Sequence, residues 1–456
     1  MATQQPRQLN TLTQKNVTKT LLRMALPMLA GTFAMNAYNL TDTWFVSRLG
    51  TTSLAAMSFT FPVVMILRFV TMGLGTGALT LVGHALGRGD RDTSARLTTH
   101  ALLLSLLLSL IITLAGFLTL QPLFTLLGAS GEVLTQACQY MAIWYGGAVV
   151  MAVPSIMGQI LMGTGDTRSA SISMVTGTLI NLILDPLLIF GAWGIPAMGI
   201  TGAALATIVS QLFSLFFPLY VLSRKHRLID WSVPRLKRLL DSWRNILKLG
   251  IPSVLNNLLT PLSMAVITRL IAGYGAFAVA AIGATSRLEL FAFMVPMSIG
   301  MSLVPFVSQN YGAAAFDRIL QAQRETRLFA LIYGAGATLL FFVFAPQMAG
   351  LFSEDPAVVT VMVEYLRISC FGYGLLEAFR YSSFCLTGVQ KPLSSALLTL
   401  VRTLVLLVPL SYLGSWWWGL TGIFVARLVT DVLSSTVAMS YSRRVILTMQ
   451  RRENRG

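Results

Sequence analysis

Charge is the scarcest property of this chain. Of its 456 residues, 11% are Asp, Glu, Lys or Arg, against roughly 25% in a soluble globular domain, so the polar surface that keeps a protein in water is missing. Cysteine is scarce too. Cys138, Cys370 and Cys385 lie in or beside apolar segments without metal-ligand spacing, which excludes a disulfide framework and leaves small packing residues. The chain has no P-loop lysine motif, no His-Glu-x-x-His and no Gly-x-Ser-x-Gly, so ATP hydrolysis and peptidase or esterase chemistry have no support. Gly73-Leu-Gly75-Thr-Gly77 resembles a dinucleotide fingerprint only superficially. No strand precedes it, and it falls within an apolar run where small residues let helices approach. His84 and His100 have no metal-binding company. The first residues, Met1 to Lys19, lack the apolar core and cleavage site of a removable signal peptide.

What the chain has is hydrophobicity: 55% apolar residues and a mean hydropathy of +0.71. The apolar stretches are continuous and do not alternate, which fits a polytopic helical membrane protein and not an outer-membrane barrel. Candidate spans fall near 21–46, 52–82, 97–120, 133–158, 169–190, 197–222, 245–271, 277–307, 325–346, 357–386, 392–413 and 418–441. A net charge of +16 would suggest nucleic-acid binding in a soluble protein. Here the basic residues collect in connections after even-numbered spans (Arg88, Arg91 and Arg96; Arg168; Arg224 to Arg238; Arg318 and Arg324; Lys391) and in both tails, Arg7 to Lys19 and Arg443 to Arg455. The loops 191–199 and 414–419 carry no charge, and 352–357 carries only Glu354 and Asp355. The positive-inside rule therefore places both termini in the cytoplasm, with no role for nucleic acid.

The strongest long-range pattern is a repeat. Pro27 and Pro252 open helices in similar settings, at an offset of 252 − 27 = 225. At the same offset Gly75 matches Gly300, Gly87 matches Gly312, and Leu161-Met-Gly163 matches Leu386-Thr-Gly388. Gly199-Ile-Thr-Gly202 matches Gly419-Leu-Thr-Gly422 at 220. The expected architecture is all-α: twelve transmembrane helices in two six-helix bundles, 1–222 and 242–456, joined by a basic linker, 223–241. Six spans per half is an even number, so the repeat is parallel, as in alternating-access transporters with a site between halves.

An ionisable group at bilayer depth costs at least about 2.5–3.5 kcal/mol and asks for a function. Asp42 is the only charged residue between Met24 and Ser47, and Asp185 the only one between Ser169 and Ser223. Their repeat mates are Ile267 and Leu410, so the acids occupy one half only. Tyr38 lies four residues before Asp42 and Asn181 four before Asp185, each pair on one helix face. Asn36, Asn39 and Thr41 add polarity. Pro186 and Pro27 each free a carbonyl one turn back, and Pro27 is a candidate kink. A carboxyl group shielded from water holds a proton readily, so these acids can load on one side and release on the other. Glu289 and Glu377 are further candidate cavity acids, Glu377 with Arg380 three residues on. Asp431 and Arg427 are spaced as a self-neutralising pair.

Leu26-Pro27 through Asn39-Leu-Thr-Asp42-Thr-Trp-Phe-Val, Gly83-His-Ala-Leu-Gly87-Arg-Gly-Asp90, Gly163-Thr-Gly165-Asp-Thr-Arg168 and Asn181-Leu-Ile-Leu-Asp185-Pro186 together resemble the multidrug and toxic compound extrusion (MATE) family, most closely its DinF-like branch. The resemblance covers nearly the whole chain. It implies two six-helix bundles around a cleft and export of cationic, amphiphilic compounds against protons or sodium. It also implies a proton site of Asp42, Asp185, Tyr38 and Asn181, joined by Thr207 on the sixth helix, with Pro27 bending the first. The NorM-like branch uses a seventh-helix carboxylate where this chain has Leu259 and Thr260, although Glu377 lies near that branch's tenth-helix acid.

The expectation is thus a proton-coupled antiporter of the inner membrane, a monomer and not an enzyme. It would need no cofactor beyond its coupling ion and take small amphiphilic or cationic substrates. Two alternatives keep the fold: sodium at the same acids, or a flippase for lipid-linked intermediates. The flippase needs several basic groups in its spans for a pyrophosphate, and the spans are expected to hold few. An enzyme or channel would show a catalytic cluster or a polar stripe, and neither is evident.

Overall fold

A lipid interior offers no hydrogen bonds, so every backbone N–H and C=O there must be paired within its own segment; a continuous apolar run has the helix as its solution. The computed structural model describes residues 11–191 and 194–455. Arg7 and loop residues 192–193 lie outside that range, as do the side chains of Thr11, Asn39 and Leu40. Among the described residues all regular structure is helical.

After a short turn at Thr11–Gln14, the spans are α1 (Val17–Ser47), α2 (Thr51–Gly87), α3 (Arg91–Leu126), α4 (Gly131–Gly146 and Ala148–Gly163), α5 (Thr167–Phe190) and α6 (Gly199–Tyr220). The second set is α7 (Leu236–Ala272), α8 (Ala276–Gly312), α9 (Phe316–Gly350) and α10 (Pro356–Ser369 and Tyr373–Gly388). Helix α11 (392–417) and α12 (420–453) complete it. These last two run on in helical hydrogen bonding but part at Trp418 and Gly419, whose backbones leave the helical region. Gly414 and Gly422 meet backbone to backbone, a contact that eight residues of straight helix, about 12 Å long, forbid. The chain reverses there.

Several helices are longer than the hydropathy runs, because polar residues continue them past the apolar stretch: 52–82 becomes Thr51–Gly87. Others are broken inside the run. The fourth bends by 54° at Gly147, the tenth passes through a 3-10 turn at Cys370–Gly372, and the eleventh contains a π-helical segment, Val401–Leu407.

The repeat is written into the backbone. Left-handed residues recur at the 225 offset: Gly50 with Gly275, Gly89 with Ala314, and Gly165 with Gln390. Gly199 and Gly419 recur at 220. Each lies in a connection between helices or at its edge in both halves, at Ala314 and Gln390 without the help of glycine.

The chain packs as two compact units, one of Met1–Ala25 with Leu255–Gly456, the other of Leu26–Val254. In the first, Val17, Leu21 and Ala25 pack with Leu303, Phe306 and Val307. Arg318 there donates to the carbonyl oxygens of Leu12 at 3.0 Å and Lys15 at 2.5 Å. In the second, Val46, Phe124, Met141, Trp144, Ile189 and Ile200 form a core. Lipid is as apolar as these side chains, so close packing of small residues does much of the joining. A Cβ on Gly75 would stand 2.7 Å from Gln159, and one on Gly77 2.7 Å from the Ile246 carbonyl, which is the role expected for the Gly73–Gly77 run. The basic segment after α6 packs on α3: the Asp230 amide donates to Thr99 Oγ1 at 2.9 Å, and Trp243 Nε1 to the His100 carbonyl at 2.9 Å.

Candidate proton site

The second unit brings the residues of α1, α5 and α6 singled out by sequence into one region. Asp42 and Asp185 are buried, 6% and 1% exposed, deeper than two carboxyls belong unless something compensates them. Asn181, one turn before Asp185, donates Nδ2 to Asp185 Oδ1 at 3.2 Å. Tyr38 Oη and Thr207 Oγ1 lie 3.1 Å apart. Asp42 Oδ1, Asp185 Oδ2 and Asn181 Oδ1 are buried without a hydrogen-bond partner. Orphaned acceptors on buried acids mark a place where a proton or a cation can be accepted. Pro27 lies inside the continuous helix α1, two residues beyond the point where that helix passes from one unit to the other.

Arg68 is the residue that sequence reasoning missed. It stands at the middle of α2, half-buried, in the same compact unit as Asp42 and Tyr38. Its signal was available: it is the only Asp, Glu, Lys or Arg between Thr51 and Gly87.

A second feature of this unit lies where α5 begins. Asp166 caps that helix, accepting from the Ser169 amide at 3.1 Å, and also takes Lys225 Nζ at 2.6 Å and His226 Nε2 at 2.9 Å. Burial alone would push its carboxyl up. The hydrogen bonds from His226, Lys225 and Ser169 outweigh burial and hold it well below the usual carboxylate range.

The other candidate acids sit in the first unit. Glu289 on α8 is buried and accepts from Tyr365 Oη and Tyr373 Oη, both at 3.0 Å, and from Arg427 at 3.0 Å. Glu377 pairs with Arg380 at 2.6 Å and leaves Oε2 unpartnered. Arg427 and Asp431 do not pair with one another as their spacing suggested. Arg427 reaches Glu289, and Asp431 takes Arg402 of α11 at 2.6 Å, because burial rewards the cross-helix partner with better geometry. The expectation of few basic groups in the spans is also corrected. Arg68, Arg269, Arg287, Arg367, Arg380, Arg402 and Arg427 all fall within helices, and the first three enter no ion pair among the described residues.

Long apolar helices arranged as a repeated half, with buried acids in both units, are the architecture of a membrane transporter. Comparison with known proteins gives the family. The MatE family model matches residues 27–187 and again 252–413, so the chain belongs to the MATE family of multidrug exporters, multi-pass membrane proteins that handle small molecules. A protein of Shewanella oneidensis named FAD transporter is 36% identical over 427 residues, spanning 94% of each chain. The multidrug export protein MepA of Staphylococcus saprophyticus is 26% identical over 93% of each. Among solved structures, an outward-facing multidrug resistance MATE family transporter superposes with a TM-score of 0.89 at 26% identity, over 96% of this chain and 98% of that one. A mutant Vibrio cholerae MATE transporter gives 0.89 at 26% identity, over 95% and 97%.

Proposed function

We propose that the protein is a proton-driven antiporter of the inner membrane, with both termini in the cytoplasm, and that Asp42 and Asp185 carry the coupling. The observation that supports this reading is the pair itself: two buried carboxyls in one unit, each with an oxygen left unpartnered. Protons loaded from outside neutralise the acids, reorder the hydrogen bonds of Tyr38, Asn181 and Thr207, and favour bending of α1 at Pro27. Cargo then leaves outward, and the protons are released inward. Coupling requires that protons and cargo favour different conformers. The test is efflux from proteoliposomes under separately imposed pH and sodium gradients. A pH gradient alone is expected to drive wild-type efflux, with at least about tenfold loss in Asp185→Asn and Asp42→Asn. Efflux driven by sodium alone assigns the same acids to sodium, and full activity in both variants removes the site.

A second reading concerns the cargo. The Shewanella relative is named for FAD, and Arg269 and Arg287, without ion pairs in α7 and α8, offer charges that a pyrophosphate requires. Export of FAD from loaded vesicles, lost in Arg287→Gln, supports it; export of cationic dye without FAD rejects it.

A further inference from the structure

Large apolar side chains exposed outside the spans ask what covers them. The connection from α6 to α7 is pinned within its own unit on both sides of an excursion. On one side Lys225 and His226 hold Asp166. Thr99 Oγ1 of α3 donates to the Asp230 carbonyl at 3.2 Å and accepts the Asp230 amide at 2.9 Å. On the other side Ser242 Oγ lies 2.8 Å from His100 Nδ1, and Trp243 Nε1 donates to the His100 carbonyl. Thr99 and His100 are consecutive, so residues 231–241 depart from one point on α3 and come back to it after 11 residues (241 − 231 + 1 = 11). Trp231, Val233, Leu236 and Leu240 in this excursion are exposed, Trp231 by 80% and Val233 by 90%. Arg235, Lys237 and Arg238 stand among them, exposed and in no ion pair among the described residues.

We propose that residues 231–241 seat the protein on the anionic phospholipid headgroups of the cytoplasmic leaflet, with the four apolar side chains entering the interface. The inference rests on the cytoplasmic placement of this connection proposed above. Depth supports it. The pins, Thr99 and His100, fall at the start of the apolar run 97–120, and Leu240 lies five residues before the apolar run of α7 at 245, a rise of about 7.5 Å. The headgroup layer on each side of the hydrocarbon is about 5–8 Å thick, so the excursion lies at its level. A segment there seats its apolar face about 5–10 Å into the boundary, and tryptophan favours that layer. Leu236 and Leu240 are one turn apart and share a face of α7. Charge agrees with depth. Arg235, Lys237 and Arg238 against Asp241 leave 3 − 1 = +2 within the excursion, and Arg224 and Arg227 before it are also in no ion pair among the described residues. Each such side chain near the surface adds attraction to anionic headgroups. An acidic protein would meet the same charges, but at headgroup level the apolar side chains already have lipid beside them.

The test places the full chain in nanodiscs of phosphatidylcholine, with and without phosphatidylglycerol, and follows hydrogen–deuterium exchange. Amides of 231–241 are expected to exchange about tenfold more slowly or better when phosphatidylglycerol is present. The triple variant Arg235→Gln, Lys237→Gln and Arg238→Gln should lose that difference, with exchange elsewhere in the chain as in wild type. Brominated phosphatidylglycerol should quench the part of the emission that Trp231→Phe removes. Equal exchange in both lipids, or emission of Trp231 untouched by bromine, overturns the proposal and leaves the apolar face to a protein partner. A lipid difference that survives the triple variant overturns it as well. Should that variant fail to fold, salt on the wild type decides. At about 1 M ionic strength the screening length is about 3 Å, so the protection should vanish, and protection that persists overturns the proposal. Sidedness is read separately: trypsin cleaving at Arg235 only from the outer face of sealed cells would strike the cytoplasmic placement itself, a failure that nanodiscs, open on both faces, keep distinct from loss of the lipid contact.

Discussion

Tyr38 on α1 donates its hydroxyl to Thr207 on α6. Their oxygens lie 3.1 Å apart, and the single proton of Thr207 is already directed to the Ala203 carbonyl at 3.1 Å, which leaves Tyr38 as the donor. The bond ties the helix carrying Asp42 to the helix beside Asp185's own. Tyr38→Phe and Thr207→Val each remove it. Each is expected to slow proton-driven efflux, and the double variant to be no slower than the worse single one. A double-mutant cycle on thermal unfolding should give a coupling of about 0.5–1.5 kcal/mol. Strictly additive losses would mean that the two hydroxyls act separately.

The two buried acids, Asp42 and Asp185, were legible because each stands alone in a long apolar run; Asp185 is the only charge in its 55 residues (223 − 169 + 1 = 55). The repeat was legible in prolines and glycines, and the backbone confirms it at Gly50 and Gly275. Arg68 is equally conspicuous, but a charge census that weighs connections between spans to find orientation passes over it. The partner of Asp431 could not be read. Helical spacing offers Arg427 four residues away, and only packing brings Arg402 to 2.6 Å. The 3-10 turn at Cys370–Gly372 and the π segment at Val401–Leu407 belong to the same class, for neither contains a proline or a polar run to announce it. Nor does hydropathy mark where the units part, inside helices at Ala25 and at Val254.

Close backbone approach makes certain glycines irreplaceable. Gly334 on α9 meets Gly374 on α10, and a Cβ on Gly334 would collide with the Gly374 backbone. Backbone cannot swing aside as a side chain can. Gly334→Val should cost about 1–3 kcal/mol or prevent assembly of the first unit, read as a lowered Tm in detergent. Gly336→Val, a site with open space around its Cβ, is the control and should leave Tm close to wild type.

Asp166 gives the protein an acid-sensitive contact. Its carboxyl in the folded protein titrates below the ordinary value of about 3.9, after burial is outweighed by His226, Lys225 and Ser169. The sign follows from linkage: a depressed folded value stabilises above the unfolded value, and the contribution disappears as pH falls through the folded one. Asp166→Ala also removes the cap on α5, so it should lower stability by about 0.5–2 kcal/mol near neutrality. The gap from wild type should stay constant above about pH 5 and narrow below about pH 4, where the wild type loses the same contact. Thermal unfolding in detergent across that range measures it. A gap that widened on acidification would contradict the assignment.

The Arg402–Asp431 pair separates the cost of breaking a buried interaction from the value of having it. Its side chains are 11% and 2% exposed and 2.6 Å apart, and a Cβ on Gly372 would stand 2.8 Å from Asp431 Oδ2, so the carboxylate is held tightly on both sides. Removing one partner leaves an uncompensated charge where water does not reach. Arg402→Met or Asp431→Leu alone should therefore lower stability by about 3–5 kcal/mol. Removing both takes away two desolvated charges together, and the double variant should recover most of the loss in Tm. Its transport then tells whether the pair serves more than packing. Stability restored with proton-driven efflux still impaired would place the pair in the conformational cycle, whereas both restored would make it a fastening between α11 and α12 only.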